Sequence, residues 1–297
     1  MNHSTLLAGV IFLCVGAARA DDAAYPKPEL LIEPADLAML DTAKKFVILD
    51  ARPAAKYKTG HIPGARWVNH DEWAKGFGAG KDAEAWGKRI GGLGIAADSK
   101  VVVYDDNFTK DAARIWWELR YWGVEDVRLL NGGWVAWQAG KFPTADKEEV
   151  PAAVPFAPKP RADRLATKGQ LLDALKADKW QIVDARSEKE HCGLEKLTNK
   201  WAGAMPGAKN LEWTDLLDPK SQRFKPPADL RQLFADAGIA LDKPTATHCQ
   251  SGGRAAVMAF GMELMGAKAV SNYYASWAEW GNADDTPIVP SVPKAKK

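Results

Sequence analysis

Phe46-Val47-Ile48-Leu49-Asp50-Ala51-Arg52 decides the fold, because it recurs as Trp180-Gln181-Ile182-Val183-Asp184-Ala185-Arg186. Both are short apolar runs of the kind that form buried strands, and both end in aspartate, alanine and arginine. The match extends outward. Ile62-Pro63-Gly64-Ala65 pairs with Met205-Pro206-Gly207-Ala208, Leu93-Gly94-Ile95 with Ala237-Gly238-Ile239, and Trp134-Val135-Ala136-Trp137 with Trp277-Ala278-Glu279-Trp280. The first pair lies 134 residues apart and the later ones 143 or 144, so the second half carries about ten additional residues, placed within 193–203. A chain that repeats itself in this order is two domains of one fold.

Within each half, short apolar strands alternate with helical segments. In the first, Val101 to Tyr104 reads as a strand, Ala112 to Trp122 as a helix stopped by Gly123, and Val127 to Leu130 as a strand before Asn131-Gly132-Gly133. In the second, Thr167-Lys168-Gly169-Gln170 has capping-box spacing ahead of Leu171-Leu172. The alternation predicts α/β domains, each a mostly parallel sheet with helices on both faces. Their expected bounds are 21–143 and 162–290, with 144–161 as a proline- and alanine-rich, semi-rigid linker and 291–297 as a tail. The thirteen tryptophans read as core and domain-interface packing rather than a ligand cage.

The chain has 297 residues, of which 46% are hydrophobic and 26% charged, enough for two ordinary globular cores. A formal charge of +2 gives no nucleic-acid signature, and Lys294, Lys296 and Lys297 read as a solvated tail. Residues 1–20 hold the apolar run Leu6 to Val15 and then Ala18-Arg19-Ala20, a secretory signal pattern, although its start carries only His3 beside the α-amino group. The expectation is an exported, periplasmic protein beginning at Asp21, and the apolar run is too short to span a bilayer. Cys192 and Cys249 then remain, and in an oxidising compartment a structural disulfide competes with a reactive thiol. The mature histidines and cysteines show no ligand spacing, so neither metal nor cofactor is expected.

The chemistry concentrates in Thr247-His248-Cys249-Gln250-Ser251-Gly252-Gly253-Arg254-Ala255-Ala256. The cysteine follows a strand-like lead-in and opens a glycine-bearing loop that runs into the apolar helical pattern Val257, Phe260, Met262, Leu264, Met265. That places it at the positive end of a helix and the carboxyl end of a strand. A free thiol titrates near pH ~8.5 and is only a few per cent thiolate at neutrality. Loop N–H groups, the helix dipole and Arg254 all favour the anion, and two glycines let the amides turn inward as a nest. At the equivalent position of the first half stands Asp105, so that loop lacks a nucleophile and its domain is expected to be catalytically silent.

Together these features resemble the tandem-domain rhodaneses, the thiosulfate and 3-mercaptopyruvate sulfurtransferases, in their exported bacterial form. The resemblance rests on both aspartate-alanine-arginine strand ends, His61-Ile62-Pro63-Gly64-Ala65, Asn131-Gly132-Gly133-Trp134, the Cys249 loop, and Ser276-Trp277-Ala278-Glu279-Trp280-Gly281-Asn282. It implies two rhodanese-like domains. It also implies attack of a cysteine thiolate on a small sulfur donor such as thiosulfate, giving a persulfide that cyanide or another thiol discharges. Carried to this chain, Cys249 is the persulfide carrier, Gln250, Ser251, Gly252 and Gly253 shape its cradle, and Arg254 supplies fixed positive charge. The expected partners are a small-molecule donor and acceptor, with a thiol protein as a further acceptor, and the chain is expected to be a monomer.

The donor stays open at this point. The loop has no basic residue directly after the cysteine, Ser251-Gly252 is similar to the mercaptopyruvate type, and Arg254 resembles the wider bacterial rhodaneses; thiosulfate is the expected preference. The arginine before an aromatic that binds the donor in both types is missing after Arg186, which leaves Arg186 and Lys189 as substitutes. Arg186 reads equally as a structural partner of Asp184. His61 either orients a donor or is a satisfied turn residue, and His248 is either a base or strand-end packing. Cys192 is a candidate resolving thiol. A phosphatase or arsenate reductase needs Cys-x5-Arg, whereas Cys249 to Arg254 is Cys-x4-Arg. A non-enzymatic sulfur-carrier or partner-binding module would be marked by loss of the second cysteine too.

Overall fold

Both copies of the apolar run become central strands, which is what burial of every residue on two faces requires. The computed structural model describes residues 24–78, 80–177 and 180–290, so the signal segment 1–20 and the tail 291–297 lie outside the described residues. In the first half β1 (Leu31–Ile32), β2 (Val47–Asp50), β3 (Arg66–Trp67), β4 (Lys100–Tyr104) and β5 (Asp126–Leu130) form a sheet in the order β1-β5-β4-β2-β3. In the second, β6 (Gln181–Asp184), β7 (Lys209–Asn210), β8 (Thr245–His248) and β9 (Val270–Asn272) run in the order β7-β6-β8-β9. Every pairing in both sheets is parallel. Leu165 bridges Asn272 in parallel where β1 lies beside β5 in the other half, so the second sheet keeps a trace of its fifth strand.

Alternation along each strand serves two cores. Val101 and Val103 face a large apolar core, while Val102 and Tyr104 face a smaller outer one with Trp134 and Trp137. The large core is continuous across both halves. Helices Lys110–Tyr121 and Gly253–Leu264, which follow β4 and β8, pack together there, with the Trp116 ring 4.9 Å from Phe260. A shared apolar core of this kind fixes the halves against each other. Among the described residues no helix is long and apolar enough to cross a membrane.

The linker over 144–161 contains no helix or strand, as its prolines predict, yet it is docked along the first half. Ala145 pairs with His61, and the N–H groups of Val154, Lys159 and Arg161 donate to the carbonyls of Gly91, Trp122 and Tyr121 at 3.0, 2.9 and 2.7 Å. Its stiffness therefore comes from these bonds as well as from composition.

The repeated strand end is a structural unit. Arg52 Nε and Nη2 donate to Asp50 at 3.0 and 2.6 Å, and Arg186 repeats this on Asp184 at 2.9 and 2.6 Å. Each guanidinium also donates to a carbonyl, of Gly60 or Gly203, and lies over a tryptophan, Trp134 at 4.0 Å or Trp277 at 4.1 Å. Both pairs are fully buried, so removing one partner strands a charge. Arg52→Met and Arg186→Met are each expected to lose about 3–5 kcal/mol, read as a lower urea midpoint; wild-type stability in either variant would contradict the structural role.

Candidate active site

The strand β8 delivers Cys249 to the mouth of the loop, and Gly252 turns the chain into the helix with φ +86°, a left-handed conformation that glycine adopts without strain. Four successive carbonyls of this loop are tied to donors outside it. Cys249 O accepts from Trp277 N at 2.9 Å, Gln250 O from Ala278 N at 2.9 Å, Ser251 O from Arg114 Nη1 at 2.8 Å, and Gly252 O from Asn272 Nδ2 at 3.0 Å. In a trans peptide the following N–H points opposite to the carbonyl. Each anchor therefore turns the next amide away from it, and Gly252 N reaches the Cys249 sulfur at 3.1 Å.

The cysteine's own N–H donates to Ser276 Oγ at 3.0 Å, and that hydroxyl donates to Tyr273 O at 2.7 Å. Cys249 is only 1% exposed, which limits access to small reagents, while Ser251 is the exposed residue of the loop. Gln250 is clamped by two hydrogen bonds to Asn199, at 3.0 and 2.9 Å, and Asn282 donates to the same Asn199 at 3.0 Å. Asn199 belongs to the additional segment of the second half, so that insertion holds the loop's flank. Arg254 makes a two-pronged pair with Glu190 at 2.6 and 2.9 Å, and Glu190 also closes a capping box with Ser187.

The first half reaches into this site. Arg114 Nη1 donates to Tyr274 Oη at 2.6 Å as well as to Ser251, and Tyr274 Oη donates to Glu118 Oε1 at 2.6 Å. Burial pushes the Glu118 carboxyl up to about 7, against the pull of Arg114 and the Tyr274 hydroxyl. Arg114, Glu118, Tyr274, Asn272, Ser276, Glu190 and Asn199 escaped sequence reasoning. The clearest signal was in Arg114 and Glu118, two charges four residues apart that flank the apolar Ile115-Trp116-Trp117 run of their helix.

Asp105 occupies the matching point of the first half, and its carboxylate accepts from the N–H groups of Asn107, Thr109, Asp111 and Ala112 at 2.8–3.0 Å. The first-half loop thus holds a carboxylate where the second holds a cysteine. Burial and the neighbouring Asp111 push that carboxyl up to about 6, while the backbone donors hold it back.

The other sequence candidates stand apart from the sulfur. Arg186 is committed to Asp184 and Gly203, the structural alternative. Lys189 is exposed with Glu195 at 3.7 Å. His61 is buried, with its ring nitrogens on Tyr57 O at 2.8 Å and Lys147 O at 3.2 Å, so its partners lie in the first half and the docked linker. Cys192 ends the Glu188–His191 helix, and no disulfide joins it to Cys249. His248 is fully buried, its ring 6.3 Å from Trp277 and its Nε2 3.7 Å from Asp184.

The fold and the loop define a duplicated α/β protein with one cysteine-bearing, amide-lined turn at the carboxyl end of its second sheet. The Rhodanese-like domain family matches residues 33–140 and 167–283. The thiosulfate sulfurtransferase of Azotobacter vinelandii is 36% identical over 263 residues, covering 87% of this chain and 96% of that one. That of Pseudomonas aeruginosa is 37% identical over 268 residues, with the same coverage of 87% and 96%. Among solved structures, the anaerobic ergothioneine biosynthesis enzyme from Chlorobium limicola, with trimethyl histidine bound, superposes with a TM-score of 0.78 at 25% identity, covering 91% of this chain and 72% of that one. The chain belongs to the rhodanese family and carries two tandem rhodanese-like domains.

Burial lowers the His248 pKa from 6.5 to about 4. Between these values the unfolded chain binds a proton at this site and the folded chain does not, so acidification favours unfolding. Relative to a His248→Gln variant, the wild type is expected to lose stability as pH falls from 6.5 to 4 and to show no pH-dependent difference above 7.5. Urea midpoints across that range check it, and a difference that is flat throughout contradicts the buried neutral ring.

Proposed function

We propose that this protein is a sulfurtransferase that moves sulfane sulfur from thiosulfate to a thiophilic acceptor through a Cys249 persulfide. The observation that carries the reading is the Cys249 sulfur held by the Gly252 N–H inside a loop whose four carbonyls are all anchored outward. Such a site favours a sulfur anion before and after transfer. The thiolate attacks the sulfane sulfur, an S–S bond forms as the bond to the sulfonate breaks, and sulfite leaves with the electron pair. The terminal sulfur of the persulfide then passes to cyanide or a thiol, which regenerates the thiolate. Gln250, Ser251, Gly252 and Gly253 supply the cradle, and Arg254 closes its far side.

Thiosulfate is favoured as donor by the names of the relatives and by the general similarity over both domains. Ser251, exposed at the loop's tip, leaves 3-mercaptopyruvate as the alternative. A phosphatase reading has less support, since the Arg254 fork is already occupied by Glu190 and is not open to a tetrahedral oxyanion. A monomer that passes sulfur to a thiol protein uses the same chemistry with another acceptor. The segment Ala18-Arg19-Ala20 supports export to the periplasm, and a mature N-terminus at Asp21 in the periplasmic fraction checks it.

The decisive assay compares thiosulfate with 3-mercaptopyruvate, cyanide being the acceptor, in wild type and Cys249→Ser. Turnover is expected to be higher with thiosulfate and to fall more than about a thousandfold in the variant. Mass spectrometry after thiosulfate treatment should show one added sulfur on the Cys249 peptide. Retained turnover in Cys249→Ser ends the proposal.

A further inference from the structure

We infer that Arg114, carried by the catalytically silent half, is a positioning residue for the sulfur chemistry of the other half, fixing and polarising the Ser251–Gly252 peptide whose N–H holds the Cys249 sulfur. The inference rests on the reading of Cys249 as the sulfur carrier.

One peptide plane separates the guanidinium from the sulfur. Arg114 Nη1 lies 2.8 Å from Ser251 O on one side, and Gly252 N lies 3.1 Å from Sγ on the other. A cation on the carbonyl fixes that plane and draws electrons toward the oxygen, which strengthens the N–H as a donor to an anionic sulfur. The approach is close enough to restrict the sequence. A Cβ on Gly253 would stand 2.7 Å from Arg114 Nη2, so glycine at 253 is what lets the guanidinium sit under the loop.

Charge placement separates Arg114 from the loop's own arginine. Arg254 meets Glu190 directly on both prongs, so a carboxylate compensates it at contact distance. Arg114 has no carboxylate in contact; Glu118 is reached only through the Tyr274 hydroxyl. Glu118 Oε2 has no hydrogen-bond partner, and burial pushes its carboxyl up to about 7, which weakens the offset it gives Arg114. The groups facing Glu118 are Arg114, Tyr274 and Arg89, and those with a charge on Cys249 are Arg254 and Arg114. The equivalent fifth residue of the catalytic half's helix is Val257, so the domain that owns the cysteine does not supply this cation itself.

The test is single-turnover loading with thiosulfate, followed as one sulfur gained on the Cys249 peptide, from pH 5 to pH 10. Arg114→Met is expected to load about tenfold more slowly than wild type on the acid limb and to reach the same plateau at high pH. Arg114→Lys should keep most of the acid-limb rate. Glu118→Gln leaves the Tyr274 hydroxyl an acceptor but removes the opposing charge, so its acid limb should not fall below wild type. Gly253→Ala, which displaces the guanidinium without deleting it, should reproduce part of the Arg114→Met loss. An unchanged acid limb in Arg114→Met, or an equal slowing of Arg114→Met and Glu118→Gln at every pH, overturns the inference. A wild type that gains no sulfur on Cys249 overturns the carrier reading itself, a separate outcome.

Discussion

The outward anchoring of four consecutive carbonyls, from Cys249 to Gly252, is the constraint on which the site depends. A short loop at a helix start has a few competing peptide orientations of similar energy, and only one presents successive amides to a single sulfur atom. The anchors come from separate places: the first turn of the last helix for Trp277 and Ala278, the end of β9 for Asn272, and the other domain for Arg114. The loop is therefore specified by the surrounding fold more than by its own sequence.

The two halves brace each other's loops: Arg114 holds Ser251 in one direction, and Gln222 Oε1 accepts the Phe108 N–H at 3.0 Å in the other. Asn131 and Tyr274, which occupy matching positions in the repeat, both reach across, Asn131 to Phe224 N at 3.0 Å and Tyr274 to Glu118 at 2.6 Å. The Tyr274 ring sits among Phe77 and Trp117 of the first half, at 4.4 and 5.3 Å. Polar reach and apolar packing thus meet at one seam, where each half supplies contacts to the other's loop.

The repeat, the alternation of strands and helices, the helix stop at Gly123 and the capping box at Thr167 were all legible, since each is a local pattern with a local cause. The placing of Cys249 between the end of a strand and the start of a helix was legible for the same reason. What could not be read was tertiary: that Arg186 spends its charge on Asp184 and Gly203, that His61 serves the linker, and that Asn199 reaches back to Gln250. Arg114 shows the limit most clearly, because its partners lie 137 and 160 residues away and no periodicity encodes them. The linker's composition gave its lack of regular structure, while its docking on Gly91 and Trp122 follows from free carbonyls at helix ends that sequence does not display.

Asp105 shows how the loop of the first half is completed without a cysteine. Its carboxylate satisfies four backbone donors, so that loop needs no further group to pair its amides there. The two loops thus differ in what fills them: a carboxylate taking four backbone N–H groups in one half, and a cysteine sulfur held by the Gly252 N–H in the other.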